Sequence, residues 1–421
     1  MSSFQQGVSG LNAASKNLEV IGNNVANSNT VGFKQSRAEF GDMYAAALNR
    51  AGTSNVGIGV SVQAVTQQFD QGNITATSNP LDLAINGNGF FEVKNGAQTV
   101  YTRNGQFQTD KDGFISNNQG MKLIGYPIDA NGLIQPGAAA PLQLPTGGVA
   151  PKVTGSNTIE MNLDARQAIT LPAGSPQVDF ANAKSYNDAT SVTVYDAKGQ
   201  DVALTYYFQK SATDTWNVYA TANGTSVKVD GAGKPLPVTT ITFPANGGKP
   251  TAPLGTVPFD VPSTTNATGG TTLPITGVAL DLTGATQYGS GFGVTSMAQD
   301  GYAAGQLVSV VIEKSGVVMA TYSNGQSKPA GQLELATFRN PQGLSPLGGN
   351  LWARSYASGD PTVGTPSSGN IGALQAGSLE ESNTDLTNEL VNMITAQRIY
   401  QANSQTIKTQ DQVLQTLVNL R

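Results

Sequence analysis

The sequence predicts a multidomain α+β protein with paired N- and C-terminal coiled-coil helices and two mainly antiparallel β domains, the outer one inserted in the inner one. Apolar residues recur at seven-residue spacing near both ends of the 421-residue chain. Between the ends, short alternating apolar runs are separated by Asn-Gly and Asp-Gly turns, which indicates strands and hairpins. A Thr-, Pro- and Gly-rich segment then interrupts the sequence of predicted strands, which indicates an insertion.

The N-terminal segment, 1–25, is predicted to be a helix. Its apolar residues fall on one seven-residue row with neighbours on the complementary row: Phe4, Val8, Leu11, Leu18, Ile21 and Val25. Gly22 and the Asn-rich stretch after it favour an exit from the helix near that point.

The C-terminal segment, 383–421, repeats the pattern over a longer distance. Its row and flanking apolar residues are Leu386, Leu390, Met393, Tyr400, Ile407, Leu414 and Leu417. No Gly or Pro interrupts the chain from Leu379 to its last residue, so the helix is expected to extend for about 50 Å at 1.5 Å per residue. Tyr400 is interpreted as a packing residue.

A single helix with such a stripe cannot bury it alone. The first helix is also too short and too rich in Gly and Asn to be stable in isolation. Two arrangements remain open: the terminal helices pair and leave apolar surface for neighbouring copies, or each packs onto its own globular core. The first leads to the hypothesis of a self-assembling structural subunit.

The remaining segments follow from changes in pattern along the chain. We predict an irregular connector at 26–70, the first half of the inner β domain at 71–147, the inserted outer β domain at 148–290, the second half of the inner β domain at 291–352, and a second connector at 353–382.

Composition excludes several classes of function. The chain has no Cys and no His, which removes Cys nucleophiles, His-containing triads and His metal sites, so no metal or cofactor is expected. Its net charge of -5 and the lack of a Lys/Arg cluster argue against nucleic acid. No apolar run approaches 18 residues, so no membrane insertion is expected. The first residues have neither a basic leader nor a continuous apolar core, so export without a cleaved signal peptide is expected.

Enzymatic chemistry is not indicated. The carboxylates are scattered, and no pair stands out for acid–base work, although distant Asp and Glu residues can still converge in three dimensions. A glycosidase would need such a convergent pair. We therefore predict that the protein is not an enzyme.

Two motifs at opposite ends carry a family resemblance. From the end of the first helix onward the sequence reads Ile21–Gly22–Asn23–Asn24–Val25–Ala26–Asn27, then Thr30–Val31–Gly32–Phe33–Lys34; before and at the start of the last helix it reads Leu379–Glu380–Glu381–Ser382–Asn383–Thr384–Asp385–Leu386. Together these resemble the terminal motifs of the flagellar rod and hook protein family. The candidate family residues are Asn23, Asn24, Asn27, Thr30, Gly32, Phe33 and Lys34, which form either a family-specific contact or simply a turn that ends the helix.

The resemblance implies a subunit of the bacterial flagellum. Length and the 148–290 insertion are similar to hook members, whose copies form a curved tube that acts as a universal joint and transmits torque from rod to filament. Implied partners are many copies of the chain, the rod, hook cap and hook–filament junction proteins, and the type III export apparatus; the implied location is the extracellular hook. The alternatives are a distal rod protein and a secreted β-rich adhesin or carbohydrate-binding module.

Overall fold

A computed structural model describes residues 2–43, 57, 59–96, 98–129, 132–137, 139–171 and 178–419, with the backbone alone for residues 2, 3 and 417–419. The chain forms two compact units. The first comprises Met1–Thr146, Ser309–Thr321 and Ser327–Arg421, and the second comprises Gly147–Val308 and Tyr322–Gln326. The second unit is therefore an insertion in the sequence of the first.

The first unit contains both helices. Its elements before the insertion are α1 (Ser2–Ala26), β1 (Ser36–Met43), β2 (Gly59–Gln67), β3 (Ile74–Ala76), β4 (Leu83–Asn86), β5 (Phe90–Asn95), β6 (Gln98–Thr102), β7 (Phe107–Thr109), β8 (Ile115–Asn117), β9 (Lys122–Tyr126) and β10 (Ala140–Pro141). The second unit contains β11 (Ser156–Asp164), β12 (Asp188–Tyr195), β13 (Asp201–Ala212), β14 (Thr215–Ala222), β15 (Thr225–Ser226), β16 (Thr239–Thr242), β17 (Val257–Val261), β18 (Ile275–Asp281), β19 (Thr286–Tyr288) and β20 (Gly293–Gln299).

The chain then returns to the first unit through β21 (Leu307–Ile312). The elements that follow are β22 (Val317–Tyr322), β23 (Ser327–Leu333), β24 (Leu335–Thr337), a 3-10 turn (Pro341–Gly343), β25 (Ser345–Gly348), β26 (Leu351–Ala353), β27 (Thr362–Gly364), β28 (Ala373–Ala376), β29 (Ser378–Glu380) and α2 (Leu386–Asn419).

The main sheet of the first unit is built from both halves of the chain. Its strand order is β21-β22-β23-β9-β5-β6-β26-β25, and β24 also pairs with β5, aligning Leu335 with Phe91. Phe91, Val93 and Leu335 are fully buried. Beside them lies an aromatic cluster in which Phe90 packs edge-on against Phe338 and Trp352, with Phe69 completing it. Long-range pairing of this kind holds the two halves together although the insertion separates them in sequence.

The predicted connectors contain regular structure, which corrects the prediction for both. Within 26–70, β1 and β2 form an antiparallel hairpin with a bulge between Glu39 and Phe40. Within 353–382, β28 pairs with β4 and β29 pairs with β3. The Gly, Ser and Asn content of these segments suits short strands and turns as well as loops, so composition alone did not separate the two.

The second unit is a two-sheet structure around one core. One sheet has the order β17-β18-β11-β19 with β20 on β11, and the other has β12-β13-β14-β15 with β16 on β14. On β13, Leu204, Tyr206 and Phe208 point inward and are fully buried, as their period-two spacing predicts. Trp216 lies in the same core and donates from Nε1 to Gln287 Oε1 at 2.7 Å.

The later boundary of the inserted unit differs from the prediction at residue 290. The unit extends to Val308, because β20 pairs antiparallel with β11 over Asn157–Asn162. Strand β20 is exposed along most of its length, so it has little of the alternation that marks a strand in sequence. The fold as a whole is mostly β with one helix at each end, and the predicted fold class is confirmed.

Candidate functional site

The two terminal helices pack against each other in antiparallel directions. A Cβ placed on Gly7 would lie 2.9 Å from Ile407 Cγ1, and one on Gly10 would lie 2.9 Å from Asn403 Nδ2. Both distances are shorter than a Cβ normally shows, so a larger residue at either position would require the side chain of Ile407 or Asn403 to shift. At the other end of the pair, Asn24 on α1 lies beside Glu389 on α2. Pairing within one chain, which the sequence left open, is therefore present.

The face that pairs is the small and polar row of each helix. On α1 it is formed by Gly7, Gly10, Ala14, Asn17, Ile21 and Asn24, and on α2 by Glu389, Ala396, Asn403, Ile407 and Gln410, each buried or half-buried. The α1 row has the alternating three- and four-residue spacing of a coiled coil, and on α2 Glu389, Ala396, Asn403 and Gln410 recur every seven residues. Four small residues of this face, Gly7, Gly10, Ala14 and Ala396, let the two backbones approach closely.

The predicted self-assembly residues lie mostly outside this face. Those exposed by 36–50% are Phe4, Val8, Leu386, Leu390, Tyr400 and Leu414. Those that are half-buried are Leu11, Leu18, Val25, Met393 and Ile407, whereas Ile21 is buried; the side chain of Leu417 is outside the described residues. Tyr400 is thus not enclosed by packing within one chain. Ile21 and Ile407 belong to the pairing face, and the more exposed of the predicted residues lie outside it.

The β1–β2 hairpin packs beside the helix pair and was missed by the sequence analysis. Gln6 donates from Nε2 to the carbonyl of Gly57 at 2.6 Å, and the amide of Val60 donates to Ser9 Oγ at 3.3 Å. The hairpin also presents exposed apolar side chains, Phe40 and Val62 among them, which are register partners on the two strands. In the sequence, the hairpin is indicated only by the alternation of apolar residues at Val60, Val62 and Ala64 in its second strand.

The family motif forms the turn that leads from α1 into the hairpin. Asn24 makes two bonds of 2.8 Å with the backbone of Ser36, donating from Nδ2 to the carbonyl and accepting the amide at Oδ1. Asn27 donates to the carbonyl of Asn23 at 2.9 Å and accepts from Thr30 Oγ1 at 3.2 Å. These bonds fix how the chain leaves the helix, and the asparagines use their side chains in place of further helical hydrogen bonds.

Gly32 and Phe33 sit at the point where this turn meets the main sheet. Gly32 is buried with a φ of +70°, and a Cβ there would lie 2.6 Å from the backbone nitrogen of Asn104. Its amide donates to the carbonyl of Glu380 at 2.8 Å. Phe33 is buried beside it. Both the positive φ and the close backbone approach therefore exclude a side chain at residue 32.

Lys34 belongs to a buried ion cluster. Its Nζ lies 2.6 Å from Glu380 Oε1, and Arg103 Nη1 lies 3.1 Å from Glu380 Oε2. The side chains of Lys34 and Glu380 are fully buried, and that of Arg103 is 4% exposed. Burial lowers the pKa of the Lys34 ammonium, and the facing Glu380 carboxylate opposes that shift. One carboxylate at the end of β29 thus ties together the turn after α1 and the residue that follows β6.

A second group of side chains holds the start of α2. Asn383 accepts the amide of Gln35 at 2.8 Å and donates to the carbonyls of Gln68 and Asp70 at 2.9 and 3.1 Å. Asp385 caps the helix by accepting the amides of Thr387 and Asn388. The start of α2 is therefore bonded to the residue before β1 and to the residues that follow β2, at the open end of the hairpin.

The structure brings two carboxyl groups together that the sequence did not pair. Glu92 on β5 and Glu334 between β23 and β24 lie close enough to interact, and burial, with a smaller contribution from Glu334, raises the pKa of Glu92 to about 7. Neither side chain has a hydrogen-bond partner for its Oε2 among the described residues. Among all the residues that the structure describes, no group of acidic residues could hold a metal ion, and no helix is long and apolar enough to cross a membrane.

Comparison with known proteins covers almost the entire chain. Four family models match: Flagella basal body rod protein at 4–34, Flagellar hook protein FlgE/F/G D1 domain at 84–200, Flagellar basal body protein FlaE D2 domain at 162–302, and Flagellar basal body rod FlgEFG protein C-terminal at 375–420. The two terminal matches coincide with α1 and its turn and with α2. The D2 match lies within the inserted unit.

Relatives of full length give the same result. The chain is 42% identical to the flagellar hook protein FlgE of Salmonella typhimurium over 431 residues, covering 100% of both chains, and 42% identical to that of Escherichia coli K12, covering 99% and 100%. It is 34% identical to the FlgE of Brucella suis. The crystal structure of Helicobacter pylori flagellar hook protein FlgE2 has the same fold, with a TM-score of 0.50 at 16% identity over 73% of this chain and 100% of that one. By its full-length identity, the chain belongs to the family of flagellar hook proteins FlgE.

Proposed function

We propose that the chain is a structural subunit of the flagellar hook, and that many copies assemble through the apolar rows left open on α1 and α2. The observation that carries the proposal is the exposure of large apolar side chains along a helix pair that is already formed. Leu386, Leu390 and Ile394 are four residues apart on α2 and each is 45–52% exposed. A continuous apolar stripe of this kind on a soluble surface indicates a protein contact.

The closely packed helix pair suits the load-carrying part of such a tube. Glycines at residues 7 and 10 let α1 approach α2, and the motif turn and ion cluster tie the pair to the main sheet. Torque applied to the helices is then passed to the rest of the first unit through bonded contacts rather than through a loose linker. This fits a curved, flexible tube that acts as a universal joint between rod and filament.

The surface of the chain suits repeated small rearrangements between copies. Charged residues make up only 12% of the sequence, so few ion pairs would have to break when neighbouring copies change their contacts in a bending tube. Neutral polar side chains can exchange hydrogen bonds with water at little net cost.

Partners and location follow from the same proposal. A hook subunit lies outside the cell and meets the rod at one end, a cap during growth, and hook–filament junction proteins at the other end. Delivery by the type III export apparatus, without a cleaved signal peptide, fits a chain with no Cys and no strongly apolar segment. The proteins of this family are structural and not enzymes. A distal rod protein and a β-rich adhesin are not favoured, since full-length matches are to hook proteins.

Polymerisation of defined variants tests the proposal. The full chain is compared with a form lacking 1–24 and 386–421, and with a double variant, Leu390→Gln and Ile394→Gln, by light scattering and electron microscopy. A matched control changes two exposed apolar residues of the second unit, Leu254→Gln and Val229→Gln. We expect tubes from the full chain and the control only.

Two results would contradict the proposal. Tubes formed by the truncated chain would show that the terminal helices are dispensable. Unchanged assembly of the Leu390→Gln, Ile394→Gln variant, with its helix content intact by circular dichroism, would show that this stripe is not a contact between copies.

A further inference from the structure

A cavity of about 500 Å³ lies in the first unit, away from the helix pair's open rows. Its wall combines the aromatic cluster, through Phe69, Phe90 and Phe338, with two guanidinium groups, those of Arg103 and Arg339. No carboxylate is among the described residues that line it. The lining also includes the neutral polar residues Asn88, Thr337, Thr362 and Asn370. A concave site of this size that combines apolar rings with polar groups is a candidate for binding a small molecule or a side chain.

The two arginines differ in how their charges are balanced. Arg103 is held by Glu380 and by the carbonyls of Ile85 and Gly87, and its Nε has no hydrogen-bond partner among the described residues. Arg339 is exposed, and none of the ion pairs between described residues involves it. The cavity therefore carries one positive charge that no acidic side chain of the described chain neutralises.

The aromatic wall limits the shape of what can bind. Phe90 packs edge-on against Phe69 at 5.5 Å and against Phe338 at 5.9 Å between ring centroids. Arg103 lies over the Phe90 ring at 5.6 Å, which keeps its guanidinium plane beside the apolar surface. A ligand that fills this space would place an apolar, preferably flat, body on the rings and an anionic group toward the arginines.

From this arrangement we propose that the cavity binds a carboxylate attached to an apolar body. Arginine is suited to this chemistry because its fork of N–H donors matches the two oxygens of a carboxylate. Two sources can present the group: a free small molecule, or an Asp or Glu side chain of a second copy in the assembled tube together with an apolar side chain beside it. The recognition chemistry is the same for both.

The test uses benzoate as the probe and benzamide as its neutral match, which has the same ring and nearly the same shape. Binding to the full chain, kept below its polymerisation concentration, is measured by NMR titration to about 20 mM, because ligands of this size bind weakly. We expect benzoate to bind at least about tenfold more tightly than benzamide, the difference that one charge-assisted hydrogen bond typically makes. Equal binding of the two probes, or no binding of benzoate, overturns the proposal.

Variants then locate the site. Arg339→Gln removes an exposed guanidinium without touching the buried cluster, and it should weaken benzoate binding by about tenfold. Arg166→Gln, in the second unit, removes another exposed guanidinium and should leave the affinity unchanged. If both variants bind like the unmodified chain, or both lose binding equally, the cavity is not the site.

A polymerisation arm separates the two sources of the carboxylate. If a second copy supplies the group, benzoate and Arg339→Gln should each raise the concentration needed for tubes to form, and benzamide should not. If a free molecule supplies the carboxylate, the concentration needed for tubes to form should not change with benzoate, with Arg339→Gln or with benzamide. The binding arm does not depend on polymerisation, so failure of the proposed hook function and failure of this site would be seen separately.

Discussion

Glu380 is the side chain whose loss should damage the first unit most. We predict that Glu380→Gln, which keeps the shape but removes the negative charge, destabilises this unit by about 3–5 kcal/mol. The neighbouring Glu381 is exposed and provides a matched control, since Glu381→Gln changes the same chemical group on the same strand end. The control should change stability by less than about 0.5 kcal/mol, as is usual for surface substitutions.

The magnitude follows from the contacts of the cluster. Glu380 accepts from Lys34 at 2.6 Å, from Arg103 at 3.1 Å and from the amide of Gly72 at 2.9 Å. After substitution, Lys34 retains the carbonyl of Asp70, and Arg103 retains two backbone carbonyls. Two charge-assisted bonds of about 1.5–3 kcal/mol each are weakened, and two buried cations remain without their carboxylate.

The assay uses the two tryptophans of the chain, one in each unit. Trp352 reports on the first unit, and Trp216 reports on the second. In a Trp216→Phe background, urea unfolding followed by Trp352 fluorescence gives the midpoint of the first unit alone, and the shift in midpoint at constant slope gives the change in free energy. In a Trp352→Phe background, Glu380→Gln should leave the second unit's transition unchanged.

A specific result would refute this reasoning. If Glu380→Gln and Glu381→Gln shift the Trp352 transition by the same amount, within about 0.5 kcal/mol, the buried carboxylate does not neutralise the two cations to any useful extent. Loss of both transitions together would instead show that the substitution acts on the whole chain and not on the first unit.

Three further predictions follow. Gly32→Ala should lower the free energy of unfolding in urea by about 2–4 kcal/mol, because it adds a Cβ against the Asn104 backbone at a positive φ. Gly96→Ala, also at a positive φ but in open space, should lower it by only about 1 kcal/mol. Equal losses in the two variants would contradict the predicted clash. Burial raises the pKa of Glu92 from 4.5 to about 7, so the stabilising contribution of its protonated form is complete below the unfolded pKa and is lost as pH rises through about 7. Glu92→Gln should remove about 1–2 kcal/mol of that pH dependence, allowing for partial solvent screening. An unchanged slope of stability against pH in this variant would contradict the prediction. Because every described side chain of α2 beyond Gln410 is exposed, this end of the helix should fray in the free subunit, which should show slightly less helix by circular dichroism than the assembled tube; equal helix content would contradict this.

Much of the architecture could be predicted because its signals are local. Seven-residue periodicity located both helices to within three residues of their ends, and alternation located the inward residues of β13. The connectors and the second boundary of the insertion were misread for a common reason. Strands β1, β2 and β20 have no buried side chain, and β28 and β29 pair with strands far away in sequence, so none of them shows locally the full pattern that burial on one face imposes.

The site was predicted in part. The residues of the family motif lie together at and after the end of α1, but several of their partners are far away in sequence. Lys34 and Glu380 are 346 residues apart, and no periodicity links them. The same holds for Glu92 and Glu334, which the sequence shows only as two isolated acids.

The sequence by itself determined that the chain ends in two amphipathic helices, that β structure lies between them, and that the usual catalytic side chains Cys and His are absent. Each of these depends on residue type and short-range spacing alone. Only the tertiary structure decided which row of each helix is used within the chain. The sequence favours the large apolar row, but close packing of two helices is limited by side-chain size, so the row of Gly7, Gly10 and Ala14 forms the pair. Several large apolar side chains, Leu386, Leu390 and Leu414 among them, remain exposed, where a second copy can cover them.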